Sequence, residues 1–173
     1  KAGIEWEIEE TDTAIEAATG QRPRGFRGPG FSWSQTLLEV LVEHGYVFDA
    51  ATLPTWIGPL ARMYYFQTAS LSKEERKKRG ALFGKLTDGF MRLRPHFKQI
   101  GTDRRLLEIP VTTIPLIRTP FHLSYLLYLY RARPELMHTY LRIALILCRL
   151  TGTQPSFLIH PLDVLDGDLV PEL

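Results

Sequence analysis

The stretch Gly25-Phe26-Arg27-Gly28-Pro29-Gly30-Phe31-Ser32-Trp33-Ser34 constrains this chain more than any other. A short apolar run ends at an arginine, a loop that only glycine and proline could shape follows, and then a helix begins. Gly28 and Gly30 admit positive φ, while Pro29 fixes its own φ and carries no N–H. Ser32 with Gln35 fits a capping box at the start of a helix that runs to Gly45, a favourable residue just past a helix end. Tyr46-Val47-Phe48 then reads as a strand ending at Asp49. The unit is strand, loop, helix, strand, with the loop at the carboxyl end of the first strand. In α/β folds that is where sites are built.

The chain has 173 residues, enough for one domain with a real core. A formal charge of +2 makes no electrostatic case for nucleic acid. The single cysteine, Cys148, lies in an apolar helical run and reads as a small core residue; it excludes an internal disulfide and leaves the compartment unread. The sequence starts at Lys1 and stops abruptly at Val170-Pro171-Glu172-Leu173, and from this we expect a part of a longer protein. Residues 1–173 read as a single, partial domain, without internal repeat, low-complexity segment or linker.

Lys1 to Gly20 has a helical pattern, with Ile4, Ile8, Ile15 and Ala18 near one face, acids on the other, and Gly20 as the stop. Thr13 with Glu16 fits a capping box inside it. Ala50 to Gly58 reads as a loop, where Trp56 either packs the loop down or stacks on a sugar ring. Ser72 and Glu75 form another capping pair before an irregular helix over Glu74–Leu93, and Lys73–Arg79 reads as a wet helix face. Leu106 to Val111 reads as a buried strand, with Pro110 confining it to an edge or a strand end. Phe121–Arg131 and Pro134–Leu150 form an apolar helical pair, read as buried packing or as a hairpin against a membrane. Arg131, Arg133 and Pro134 interrupt it, so neither helix reaches the ~20 apolar residues that span a bilayer. Gly152 ends the second helix, and Ser156 to Ile159 forms a last strand carrying His160. Four strand candidates alternating with helices favour α/β with parallel strands.

Taken together, Gly25–Ser34 followed by Gly45-Tyr46-Val47-Phe48-Asp49-Ala50 resembles the third motif region of the polysaccharide deacetylases, the NodB-homology group or carbohydrate esterase family four. Leu158-Ile159-His160 is similar to that family's Leu-x-His motif, and Ile109-Pro110-Val111 to its mid-domain strand. The resemblance implies part of a (β/α) barrel, helix-rich, whose full form needs ~250 residues. It implies metal-assisted hydrolysis of an N-acylated sugar, in which a divalent, zinc-like metal polarises the carbonyl and a carboxylate takes a proton from water. By the same resemblance Arg27 holds the catalytic carboxylate, the Gly30 N–H just after Pro29 meets the developing oxyanion, and His160 protonates the leaving amine.

Two of the family's motifs are not in this sequence: the Thr-Phe-Asp-Asp-Gly type that supplies the base and a ligand, and the His-x-x-x-His type that supplies two more. The histidines are His44, His96, His122, His138 and His160, and no two lie four apart. No metal ligands are therefore assigned, and the chain alone is expected to lack deacetylase activity. The family's Asp-x-x-Asp-Trp, which tunes the histidine, is also missing, with Asp163 and Glu108 as substitutes at hand. Two other readings stay open: a catalytically silent carbohydrate-binding relative, and a membrane-associated module acting near lipid-linked sugars. A truncated barrel would also expose an apolar face through which copies associate.

Overall fold

The structure is a computed structural model, and it describes residues 1–58, 86–160 and 163. Helix α1, Ala2–Thr19, closes on Gly20 in the left-handed region at φ 71°, the stop expected there. Thr13 and Glu16 do not form a capping box. They lie inside α1, and the Thr13 hydroxyl donates to the Glu9 carbonyl at 2.8 Å. Ile8 is buried and Ile4 packs beside it, but Ile15 stays exposed. Among the acids of α1, Asp12 alone is buried. It accepts the Tyr46 hydroxyl and the Arg22 guanidinium, which pins the helix to the chain entering the next strand.

Strand β1 (Gly25–Phe26), a 3-10 turn (Pro29–Phe31), helix α2 (Gln35–Glu43) and strand β2 (Phe48–Asp49) follow. The cap of α2 is Ser34, whose hydroxyl accepts the Leu37 N–H at 3.1 Å, so the expected Ser32–Gln35 box does not form. Ser32 is spent on the turn before it, donating to the Pro29 carbonyl at 2.8 Å. Leu38, Val40 and Leu41 of α2 join Ile8, Tyr46, Ile100 and Leu106 in the main core. At ~1.5–3 kcal/mol for each fully buried large apolar side chain, this cluster holds α1 and α2 against the sheet.

A second 3-10 turn (Leu86–Phe90), strands β3 (His96–Ile100) and β4 (Arg104–Glu108), and helices α3 (Leu123–Ala132) and α4 (Pro134–Thr151) complete the described chain. The expected helix over Glu74–Leu93 is not found where its residues are described; only the short 3-10 turn is there. A Cβ on Gly89 would fall 2.0 Å from the Trp56 ring, a close approach that marks this segment as a packed turn. The Ser72–Glu75 pair and the Lys73–Arg79 run lie outside the described residues.

The sheet order is β1-β2-β4-β3. β1, β2 and β4 are parallel, as expected, while β3 pairs antiparallel with β4. Only the turn at Gly101, φ 64°, separates them, and a connection that short can join strands only as a hairpin. The described sheet is open, so no barrel closes among these residues. Ser156–Ile159 is not a strand of it. The Thr112 N–H donates to the Ser156 carbonyl at 3.1 Å, but the Ser156 N–H goes to the Thr112 hydroxyl at 2.7 Å, which diverts the ladder.

Helices α3 and α4 meet at Arg133 and end at Gly152, φ 62°. They cover a second, smaller core of Ile114, Phe121, Ala144 and Cys148, with Cys148 packed as expected. The burial expected for the whole pair is found on one side only. Tyr128 and Leu150 are about three-quarters exposed, at 75% and 76%, and Leu127, Tyr130, Leu145 and Ile146 are exposed as well. No helix among the described residues is long and apolar enough to cross a membrane.

Candidate active site at the strand ends

Arg27 leaves β1 at its carboxyl end. Its Nε donates to the Ala50 carbonyl at 3.0 Å, and its two terminal nitrogens meet no acceptor among the described residues. Partial burial lowers its pKa, and the charge of Asp49 opposes that shift. The loop that follows is shaped by its glycines, though not identically. Gly28 has φ −62°, and what excludes a side chain there is space: a Cβ would sit 1.9 Å from the Ser32 carbonyl oxygen. Gly30 has φ 59° and Phe31 φ 60°, two successive left-handed residues, of which the phenylalanine carries strain of about 1–3 kcal/mol. Pro29 contributes no N–H, and the exposed Gly30 N–H donates to no acceptor among the described residues.

Beside this loop lies a group of charges held by the ends of two strands and the middle of a third. Asp49 of β2 and Glu108 of β4 are register partners, each 1% exposed. Glu108 and Leu106 share a face of β4, so the strand carries apolar core and then carboxylate on one side. Lys98 reaches Glu108 Oε2 at 2.5 Å and also lies 4.7 Å from the Trp33 ring centre. The Thr52 N–H donates to Glu108 Oε1 and the Ala51 N–H to Asp49 Oδ1, each at 3.2 Å. Asp49 Oδ2 is buried and receives no hydrogen bond. Burial, and then the charge of Glu108, push Asp49 up to about 7, against the pull of Lys98 and the Ala51 N–H. A proton on Oδ2 turns two facing anions into a hydrogen-bonded pair.

His160 lies in a second group. Its Nδ1 is 3.0 Å from the Ser124 hydroxyl, which also lies 2.8 and 3.0 Å from the two Asp163 oxygens. Asp163 Oδ2 accepts the His160 N–H at 2.9 Å and stands 3.5 Å from Nδ1. The ring of His122 meets that of His160 edge to face at 5.8 Å. His122 is buried with Nδ1 unpartnered, and burial first, then His160, push it down to about 4 while Asp163 opposes them.

Arg27, Pro29 and Gly30 therefore share one loop, and no hydrogen bond or ion pair joins them to His160 among the described residues. Backbone bonds set the chains side by side in the order Phe26, Asp49–Thr52, Ile109–Thr112, Ser156. Three such spacings amount to roughly 14 Å between the outer two on a flat sheet. Of the two substitutes for the missing acidic motif, Asp163 contacts His160, whereas Glu108 is committed to Lys98. Residue-level reading overlooked Asp49 and Lys98. Asp49 closing one predicted strand and Glu108 inside the next were the available signal; Lys98 gave none, because β3 was not expected.

The family model described as polysaccharide deacetylase matches residues 1–48, which takes in α1, the Arg27 loop and α2 and stops one residue short of Asp49. No curated protein and no solved structure matches the chain. The match supports a deacetylase-type hydrolase in general, and the similarity to the polysaccharide deacetylase family is confined to residues 1–48.

Proposed function

We propose that this chain supplies part of a site that hydrolyses the amide bond of an N-acylated sugar, with the polysaccharide-deacetylase match across the Arg27 loop as the observation that carries the reading. The unspent terminal nitrogens of Arg27 suit a carboxylate held in a bidentate grip. The free Gly30 N–H, presented by a strained turn, suits the oxygen on which charge develops as the carbonyl is attacked. His160, its imidazole about half exposed, suits delivery of a proton to the departing amine nitrogen.

The family implies a divalent metal, which when bound polarises the acyl carbonyl. The described residues do not fit one. No three ligand side chains converge among them: Glu108 is taken up by Lys98, and Asp49, which keeps one oxygen free, stands as a lone ligand. No step is therefore assigned to a metal on these residues.

The test is acetate release from N-acetylated oligosaccharides by a protein carrying this chain. His160→Ala should lower kcat by roughly 10²–10⁴-fold with little change in KM, as loss of a general acid does. Arg27→Ala should lower kcat comparably. Full activity in both variants would overturn the proposal.

A further inference from the structure

We propose that Ser124 and Asp163 are positioning residues that hold His160 with its proton on Nδ1, so that Nε2 is the atom left to exchange protons with substrate. The inference rests on the reading of His160 as the proton donor, and it assigns the atom that does the work.

The argument is one of donors and acceptors. An ionised carboxylate only accepts, and a serine hydroxyl has one proton to give and lone pairs to receive. Asp163 offers Ser124 two oxygens at 2.8 and 3.0 Å, and it is held ionised. The His160 backbone N–H, and then the Ser124 hydroxyl, keep its carboxyl below the usual range. The Ser124 proton therefore points at Asp163. With that proton committed, the Ser124 oxygen can only accept from His160 Nδ1, 3.0 Å away. Nδ1 must carry the hydrogen, which leaves a lone pair on Nε2 in the neutral ring and an N–H there in the protonated one. The direct approach of Asp163 Oδ2 to Nδ1, at 3.5 Å, favours the same tautomer.

The fold supplies the placement. Ser124 stands in the first turn of α3, behind the cap residue His122, and the Leu123 N–H donates to the Leu158 carbonyl at 3.2 Å. That bond ties the start of the helix to the segment carrying His160. His122, packed edge to face on the ring and kept neutral by burial, adds no competing acceptor: its Nδ1 meets no partner, and its contact with His160 is through the ring. The chain thus has its own means of orienting the histidine, built from a different stretch than the missing Asp-x-x-Asp-Trp.

The test reads the ring directly. In ¹⁵N-labelled full-length chain at a pH where the imidazole is neutral, long-range ¹H–¹⁵N correlation should show His160 Nδ1 protonated and Nε2 bare. Ser124→Ala combined with Asp163→Ala should return the ring to the Nε2–H tautomer that unconstrained imidazoles favour, and Ser124→Thr should keep the Nδ1–H form. An Nε2–H signature in the wild-type chain overturns the proposal, as does an unchanged ratio in the double variant. If the double variant fails to fold, the wild-type spectrum decides alone. Because the readout is spectroscopic, absence of deacetylation would count against the proposed function without touching this assignment.

Discussion

Asp49 carries the largest electrostatic liability at the residue scale, a buried carboxyl facing another with one oxygen unbonded. Its pKa is raised from the ordinary carboxylate value to about 7, so the folded chain holds a proton that the unfolded chain releases near pH 4. Stability is therefore highest below about pH 4 with respect to this group, and falls as pH rises through 7. Asp49→Asn should flatten that slope and stabilise the chain at pH 8 by on the order of 2 kcal/mol, read from urea midpoints across pH 4–8. A wild-type midpoint that rises over this window, beyond what the variant shows, would contradict it. Residue by residue, the sequence disclosed what needs only local chemistry. Gly28 and Gly30 mark a loop whatever the fold, and an arginine beside Pro29 reads directly. Asp163, three positions past His160, was within reach of a local reading; what stayed hidden were the distant pairings, since nothing local says that Lys98 reaches Glu108 or that Ser124 meets His160 from 36 positions away.

At the scale of the element, α2 shows how a neighbour decides between two adequate signals. Ser32 and Ser34 both suit a helix start, and the Pro29–Phe31 turn takes the first for itself, leaving Ser34 to cap. Ser34→Ala should cost about 1 kcal/mol of stability, while Ser32→Ala should cost α2 no cap. Thermal melts of the two variants measure the difference, and equal losses would return the cap to Ser32. The long helices were legible because α1 and α4 combine period with glycine stops at Gly20 and Gly152. The two-residue strands β1 and β2 were legible only through the loop between them. β3 escaped because His96–Ile100 is short, half-exposed and paired as a hairpin that no parallel scheme anticipates.

On the scale of the whole molecule, two cores of unequal quality stand out. The one beneath α1 and α2 is closed by seven buried residues, whereas α3 and α4 bury one side and leave Tyr128 and Leu150 to solvent. Exposed apolar side chains of that kind take up hydrophobic dyes. The chain should enhance the fluorescence of such a dye in native buffer, and Tyr128→Lys with Leu150→Lys should reduce the signal several-fold at unchanged far-UV circular dichroism. A double variant as bright as the wild type would place the dye elsewhere.

The two borders of the sheet differ in what they can receive. β1 and β3 are both outermost strands among the described residues, but β3 runs against its neighbour, so only β1, which runs with β2, borders the parallel run. A separately supplied polypeptide could extend the parallel run only by annealing along Gly25–Phe26, immediately before Arg27, and so would deliver its own carboxyl-terminal residues to the guanidinium.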